Sequence, residues 1–211
     1  MGSRWRVWGL SLVLVLPGMC VGQAAKDGYA ERLKAARAAY FRVVEGNDRA
    51  ADAEAHRLLE AMEKAYPGDA VVKAYQGSLE LLDVAHDWRI WNLKRQSDEG
   101  LALLDAAVAQ APDAPEARFL RAATSWHLPG FYHRRAQCEA DFAVLAPRAE
   151  RDAREGRLPP ELAAAVENYW GQILADRKDW AGARAAFGAA VRIAAASPAG
   201  VEAAKRLREM K

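Results

Sequence analysis

Apolar residues recur every three or four positions along most of the chain, and short polar breaks separate the periodic segments. This spacing places the apolar side chains on one face of an α-helix. The alternation of apolar and polar residues that is typical of strands is nearly absent, so the pattern predicts an all-α protein. The predicted helices span residues 28–45, 50–66, 70–85, 98–110, 115–127, 131–146, 160–176, 179–196 and 199–210.

The starts of two predicted helices carry capping signals. Ser197 precedes Pro198, which combines a capping hydroxyl with a residue that needs no amide donor at the first helical position. Asp113 and Glu116 have the spacing of a capping box, in which each side chain accepts a hydrogen bond from a backbone amide. Both signals predict short connections, and short connections make consecutive helices antiparallel neighbours.

Gly171 lies inside a predicted helix that is otherwise rich in good helix formers. A glycine at such a position costs about 1 kcal/mol relative to alanine. We therefore expect this glycine to allow close helix packing, with Gly171 facing Ala183 across the pair. Phe187 and Ala190 follow at helical spacing, and we expect Phe187 to pack on the next helix.

The second helices of two successive pairs repeat one another. Their small, large and closing residues agree at every offset: Ala55, Leu59, Met62 and Pro67 correspond to Gly100, Leu104, Ala107 and Pro112. Small residues let two helices approach closely, and a large side chain fills the space between adjacent pairs. Gly77, in the segment AVVKAYQGSLELL, has the small position of a first helix, although its partner helix arrives about eleven residues late.

These positions resemble the tetratricopeptide repeat family, in which a small residue follows a large one in the first helix, an alanine precedes a large residue in the second, and a proline closes the unit. The resemblance covers roughly residues 28–198. The sequence departs from the family at Glu167, where the family has tryptophan, and at Leu174, where it has tyrosine.

The resemblance implies antiparallel helical hairpins that stack as a short solenoid. The implied hairpins span about 28–66, 70–110, 115–146 and 160–196, and a helix over 199–210 caps the end. Such an array needs an end cap, because the last apolar face has no neighbour to cover it. The resemblance also implies a scaffold that holds a protein or peptide partner on its concave face.

The first 24 residues have the layout of an export signal. Arg4 and Arg6 give a positive start, and residues 7–16 form a short apolar core. This core is about half the roughly 20 residues that a membrane span needs. The sequence therefore predicts a signal peptide over 1–24 and a periplasmic or secreted domain over 27–211, with no membrane span after removal of the signal.

Small residues after the apolar core place the predicted cleavage after Gly22 or Ala24. Cys20 leaves an alternative open, because a cysteine just after such a segment can be the lipid-bearing residue of a bacterial lipoprotein. The protein is then a lipid-anchored assembly factor of the envelope. Cleavage after Gly22 or Ala24 instead leaves Cys138 as the only cysteine, which excludes an intrachain disulfide.

Removal of the signal also changes the charge balance. The chain has 30 basic and 28 acidic residues, and the signal contains two of the basic ones. The mature domain is then neutral and lacks the basic excess of proteins that bind nucleic acids or anionic membranes. We therefore expect no nucleic-acid partner.

Two aromatic segments are candidate partner contacts, because aromatic and arginine side chains are frequent at binding hot spots. The insert over 85–100, AHDWRIWNLKRQSDEG, carries Trp88 and Trp91 among basic residues. The alternative for this insert is a short extra helix that buries its tryptophans. Trp126 and Tyr132 flank the helix break Leu128-Pro129-Gly130 and form the second candidate.

Arg118 and Arg121 lie on the helix that leads to this break, three residues apart and therefore on one side. In the implied repeat the first helices of the hairpins line the concave groove, where two arginines can receive a carboxylate of a peptide. The alternative interpretation is that both arginines form ion pairs with Glu139 or Asp141 on the neighbouring helix.

His127, His133 and Cys138 form the only candidate metal set that we considered. Their spacing is not that of a helical ligand pair, and no H-E-x-x-H element accompanies them. The chain also lacks a nucleophile elbow and a phosphate-binding glycine loop. The sequence therefore predicts neither an enzyme nor a cofactor, and a metal-dependent enzyme that uses these three residues is the alternative.

Overall fold

The computed structural model describes the backbone of residues 18–46, 49–86 and 93–210, and the side chains of residues 28–46, 50–84 and 95–210. Within these ranges the chain is helical and contains no strand, which confirms the predicted all-α class. The helices are α1 (Gly18–Gly46), α2 (Arg49–Ala65), α3 (Ala70–His86), α4 (Leu93–Gln110), α5 (Pro115–His127), α6 (Arg135–Leu145), α7 (Ala149–Arg154), α8 (Pro160–Asp176), α9 (Trp180–Ala194) and α10 (Pro198–Glu209).

The predicted helices recur in the structure with shifts at a few ends. Short 3-10 turns at Gly130–Tyr132 and Ala146–Arg148 flank α6, which therefore begins later than the sequence predicts. Helix α7 was not predicted, because Pro147 and a polar sequence interrupt the apolar spacing there. The predicted signal falls largely on residues 1–17, which lie outside the described residues, and α1 already includes both predicted cleavage positions.

The helices pack in pairs that are adjacent in the chain: α1 with α2, α3 with α4, α5 with α6, and α8 with α9. Helix α3 also contacts α1 and α5, and α10 lies against both α8 and α9. One apolar core runs from α1 to α8, and a smaller one joins α8, α9 and α10. The smaller core contains Ala164, Ala183, Phe187, Ala190 and Ala203.

Two glycine contacts explain how α3 and α4, and α8 and α9, approach so closely. A Cβ atom on Gly77 would lie 2.6 Å from the carbonyl oxygen of Gly100, and one on Gly100 would lie 2.8 Å from that of Gly77. A Cβ atom on Gly171 would lie 2.6 Å from the ring of Phe187. The three atoms nearest to this Cβ position all belong to Phe187, which therefore packs against Gly171 within the pair. Ala183 is also buried and belongs to the same small core as Phe187.

One predicted cap is confirmed and the other is wrong. The hydroxyl of Ser197 accepts a hydrogen bond of 3.1 Å from the amide of Gly200 at the start of α10. Helix α5 begins after Ala114, which makes no side-chain cap, so Asp113 and Glu116 form no capping box. The reason is that the Glu116 carboxylate is buried and binds side chains of other helices.

Candidate functional site

Arg118 and Arg121 bind a carboxylate inside the fold, as in the alternative interpretation. Both donate hydrogen bonds of 2.7 Å to Oδ1 of Asp141, a buried residue of α6. Arg121 also donates to the other oxygen of Asp141, at 2.8 Å. The two arginine side chains are only 15% and 13% exposed. Their guanidinium groups therefore serve the packing of α5 on α6, and a peptide carboxylate would have to displace Asp141.

A buried polar network that sequence reasoning missed links α1, α3 and α5. The Glu116 carboxylate accepts two hydrogen bonds of 2.9 Å from Arg37 and one of 2.7 Å from the hydroxyl of Tyr75. Burial raises the pKa of Tyr75 well above its usual value, and the nearby negative charge of Glu116 adds to this. These contacts hold the first helices of three pairs together and leave no free group for chemistry.

A second hydrogen-bonded chain joins the same three helices. The hydroxyl of Tyr40 lies 2.6 Å from that of Ser78, and Ser78 lies 2.7 Å from the hydroxyl of Thr124. Tyr40 and Ser78 are buried, so each hydroxyl supplies the hydrogen-bond partner that the other cannot obtain from water. Nothing in the sequence marks these residues, because their partners come from three separate helices.

The turn between α5 and α6 exposes an aromatic side chain. Phe131 is 71% exposed, and its ring lies 4.6 Å from the ring of Tyr132. The Tyr132 hydroxyl donates a hydrogen bond of 2.8 Å to Ser97 of α4, which anchors the turn. The guanidinium carbon of Arg135 lies 4.1 Å from the ring centre of the half-buried Trp126. The sequence-predicted Trp126 thus contacts an arginine, and the sequence-predicted Tyr132 contacts an exposed phenylalanine of the same turn. We call residues 126–135 the aromatic turn.

The structure does not bring His127, His133 and Cys138 together as a metal site. Within the part of the chain whose side chains are described, their ligand atoms do not form a set close enough to share one ion. His127 lies 2.9 Å from the Tyr169 hydroxyl, and burial lowers its pKa. Burial raises the pKa of Cys138 to about 12, so its thiol stays protonated. Trp88 and Trp91, the first aromatic candidate, lie outside the described residues.

A cavity of about 300 Å³ lies between α2, α3 and α4. Its apolar wall consists of three leucines, and its polar rim includes a histidine and two glutamates: Leu59, Leu79, Leu103, His56, Glu60 and Glu80. The cavity therefore has both apolar and polar lining residues. No sequence pattern indicates this cavity, because the lining residues come from three helices.

His56 stands at the edge of this cavity beside two aspartates. Its Nε2 atom lies 2.9 Å from Oδ2 of Asp83 on α3 and 3.7 Å from Oδ1 of Asp52, one turn earlier on α2. The hydrogen bond to Asp83 raises the pKa of His56, burial opposes this, and the charges of Asp83, Asp52 and Glu80 add to the increase. All three side chains are half-buried.

Glu167 is a buried carboxyl group on α8, only 8% exposed. Burial raises its pKa to about 7, the charge of Arg192 lowers it, and the charge of Glu150 raises it. A carboxyl group with such a pKa titrates in the neutral range.

Comparisons of the chain with protein-family models, with curated proteins and with solved structures found no match. In the described part of the chain, no helix has both the length and the apolar character that crossing a bilayer requires.

Proposed function

We propose that the protein is an exported helical-repeat scaffold of the tetratricopeptide type that binds a protein or peptide partner. The paired packing of α1–α2, α3–α4, α5–α6 and α8–α9 supports stacked hairpins with α10 as the end cap. The close glycine contacts in two of these pairs occupy the small positions of the resemblance. Binding, and not catalysis, is the proposed role. We propose a periplasmic or secreted location, with lipid anchoring through Cys20 as the alternative.

We place the partner contact at the aromatic turn, and the exposure of Phe131 is the observation that carries this choice. Burial of a phenylalanine side chain is worth about 1.5–3 kcal/mol, which is the size of a binding hot spot. Trp126 and Arg135 of the same turn form a cation–π contact, and both residue types are enriched at hot spots. Because Asp141 already binds Arg118 and Arg121, these arginines position the turn and are not the primary contact.

The test is a quantitative pull-down from the envelope extract of the source cells with immobilised wild-type protein, Phe131→Asp and Val201→Asp. Val201 is also an exposed apolar residue, 57% exposed, but it lies on α10. We expect a partner that wild type and Val201→Asp retain and that Phe131→Asp loses by at least about tenfold, equivalent to 1.4 kcal/mol. Equal recovery of every protein by the two variants would refute this placement.

The proposed location is tested separately by measuring the intact mass of the mature protein. A start after Gly22 or Ala24 is expected for a cleaved export signal. A diacylglycerol-modified Cys20 at the N-terminus would instead support the lipid-anchored assembly factor.

A further inference from the structure

We propose that Asp52, His56 and Asp83 bind a divalent first-row transition-metal ion such as Zn²⁺. This site is independent of the aromatic turn and goes beyond the proposed scaffold function. Their ligand atoms all lie within 4.8 Å of one another. One imidazole nitrogen with two carboxylate oxygens is a donor set that zinc and its neighbours accept.

The helical spacing explains why these donors converge. Asp52 and His56 are four residues apart on α2, so their side chains lie on the same face one turn apart. Asp83 approaches from α3, the next helix in the chain. An ion here would therefore join two helices that belong to different pairs.

Two of the three donor separations are close to those of a tetrahedral site. Metal–ligand bonds of about 2.1 Å place neighbouring donor atoms about 3.4 Å apart. The separation between His56 Nε2 and Asp52 Oδ1 is 3.7 Å, and that between Nε2 and Asp83 Oδ2 is 2.9 Å. Side-chain adjustments of a few tenths of an ångström about each contact would give both separations the tetrahedral value.

A cavity adjoins one of the three donors. His56, alone among them, lines the cavity of about 300 Å³ between α2, α3 and α4, so open space lies on its side of the site. Zinc sites with three protein ligands keep a fourth position for water or another donor. Glu80 also lines this cavity, but its carboxylate is not among the convergent ligand atoms. The alternative is that His56 is protonated and only forms ion pairs with the two aspartates. A protonated imidazole has no free nitrogen for zinc.

The experiment measures metal binding by the untagged full-length protein. Zn²⁺ is titrated by calorimetry, and Co²⁺ is added as a spectroscopic probe of tetrahedral coordination. We expect one ion per chain, a visible Co²⁺ band, and at least about tenfold weaker binding for His56→Gln and Asp83→Asn, equivalent to 1.4 kcal/mol each.

The matched control is His133→Asn, which removes an exposed histidine outside the site and suits the left-handed backbone there, with φ of 55°. Circular dichroism establishes that each variant is folded. Binding by His133→Asn as in wild type, with loss in His56→Gln, supports the site. Absence of stoichiometric binding in the wild type, or equal binding by His56→Gln, would overturn it.

Discussion

Replacement of Glu167 by glutamine tests whether a buried carboxyl group makes this fold sensitive to pH. Glu167 is buried on α8, and its pKa in the folded protein is raised from 4.5 to about 7. The amide of glutamine has the same shape but no proton to lose. We expect Glu167→Gln to remove one pH-dependent contribution to the free energy of unfolding.

The sign follows from the two pKa values. Well below pH 4.5 the carboxyl group is protonated in both the folded and the unfolded chain, and it imposes no penalty. Between 4.5 and about 7 the unfolded chain releases the proton while the folded chain retains it, so stability falls as the pH rises. Above about 7 the penalty is complete, and the displaced pKa corresponds to about 3 kcal/mol.

The assay is urea unfolding of the wild type and Glu167→Gln at about pH 5, where about a quarter of the penalty has developed, and at about pH 8, where it is nearly complete. The variant should gain stability over wild type on going from the lower to the higher pH, by about 2.5 kcal/mol. Glu31→Gln is the control, because it makes the same chemical change at an exposed position of α1. If the difference between wild type and Glu167→Gln were the same at both pH values, the buried-carboxyl argument would be refuted.

Two further predictions concern the helix contacts and the buried thiol. Gly77→Ala should lower the free energy of unfolding by about 1–3 kcal/mol, because its Cβ would meet the backbone of Gly100. A Cβ atom on Gly188 would meet only the tip of the Arg192 side chain, at an ordinary contact distance of 3.5 Å. Gly188→Ala should therefore raise that free energy by about 0.5–1 kcal/mol in the same urea assay, and equal effects would contradict the packing argument. Cys138 should resist iodoacetamide in the native protein and react after unfolding, because burial raises its pKa to about 12. Peptide mass mapping measures the extent of modification. Equal modification of the native and the unfolded protein would show that the thiol is accessible.

Local patterns were sufficient to predict most of the helices. Apolar spacing and helix breakers lie within a few residues of the features they predict, and the Ser197 cap is one example. The short α7 was missed because Pro147 and a polar sequence interrupt the apolar spacing, although α7 contains the buried Asp152, whose carboxylate accepts a 2.8 Å hydrogen bond from Arg148. A short polar segment lacks the recurring apolar positions that reveal a helix in a sequence, and a single aspartate does not supply them.

The candidate sites were harder to predict, because their partners are distant in the chain. Glu116 looked like a capping residue, yet its carboxylate binds Arg37, 79 residues earlier. The pair of Asp52 and His56 on α2 has recognisable helical spacing, but Asp83 joins it only after α3 packs alongside. The exposure of Phe131 likewise depends on how the turn is anchored to Ser97.

The mutual contact of Gly77 and Gly100 fixes the register of two helices. Sliding α3 along α4 by one residue would bring Gln76 or Ser78 opposite Gly100, and their Cβ atoms would collide with its backbone. A second substitution cannot compensate for a side chain added at one of these glycines. Each glycine lies against the main chain of the other, and neither has a side chain that could be made smaller. The α3–α4 pair therefore has a single alignment, which also sets where Leu79 and Leu103 line the cavity.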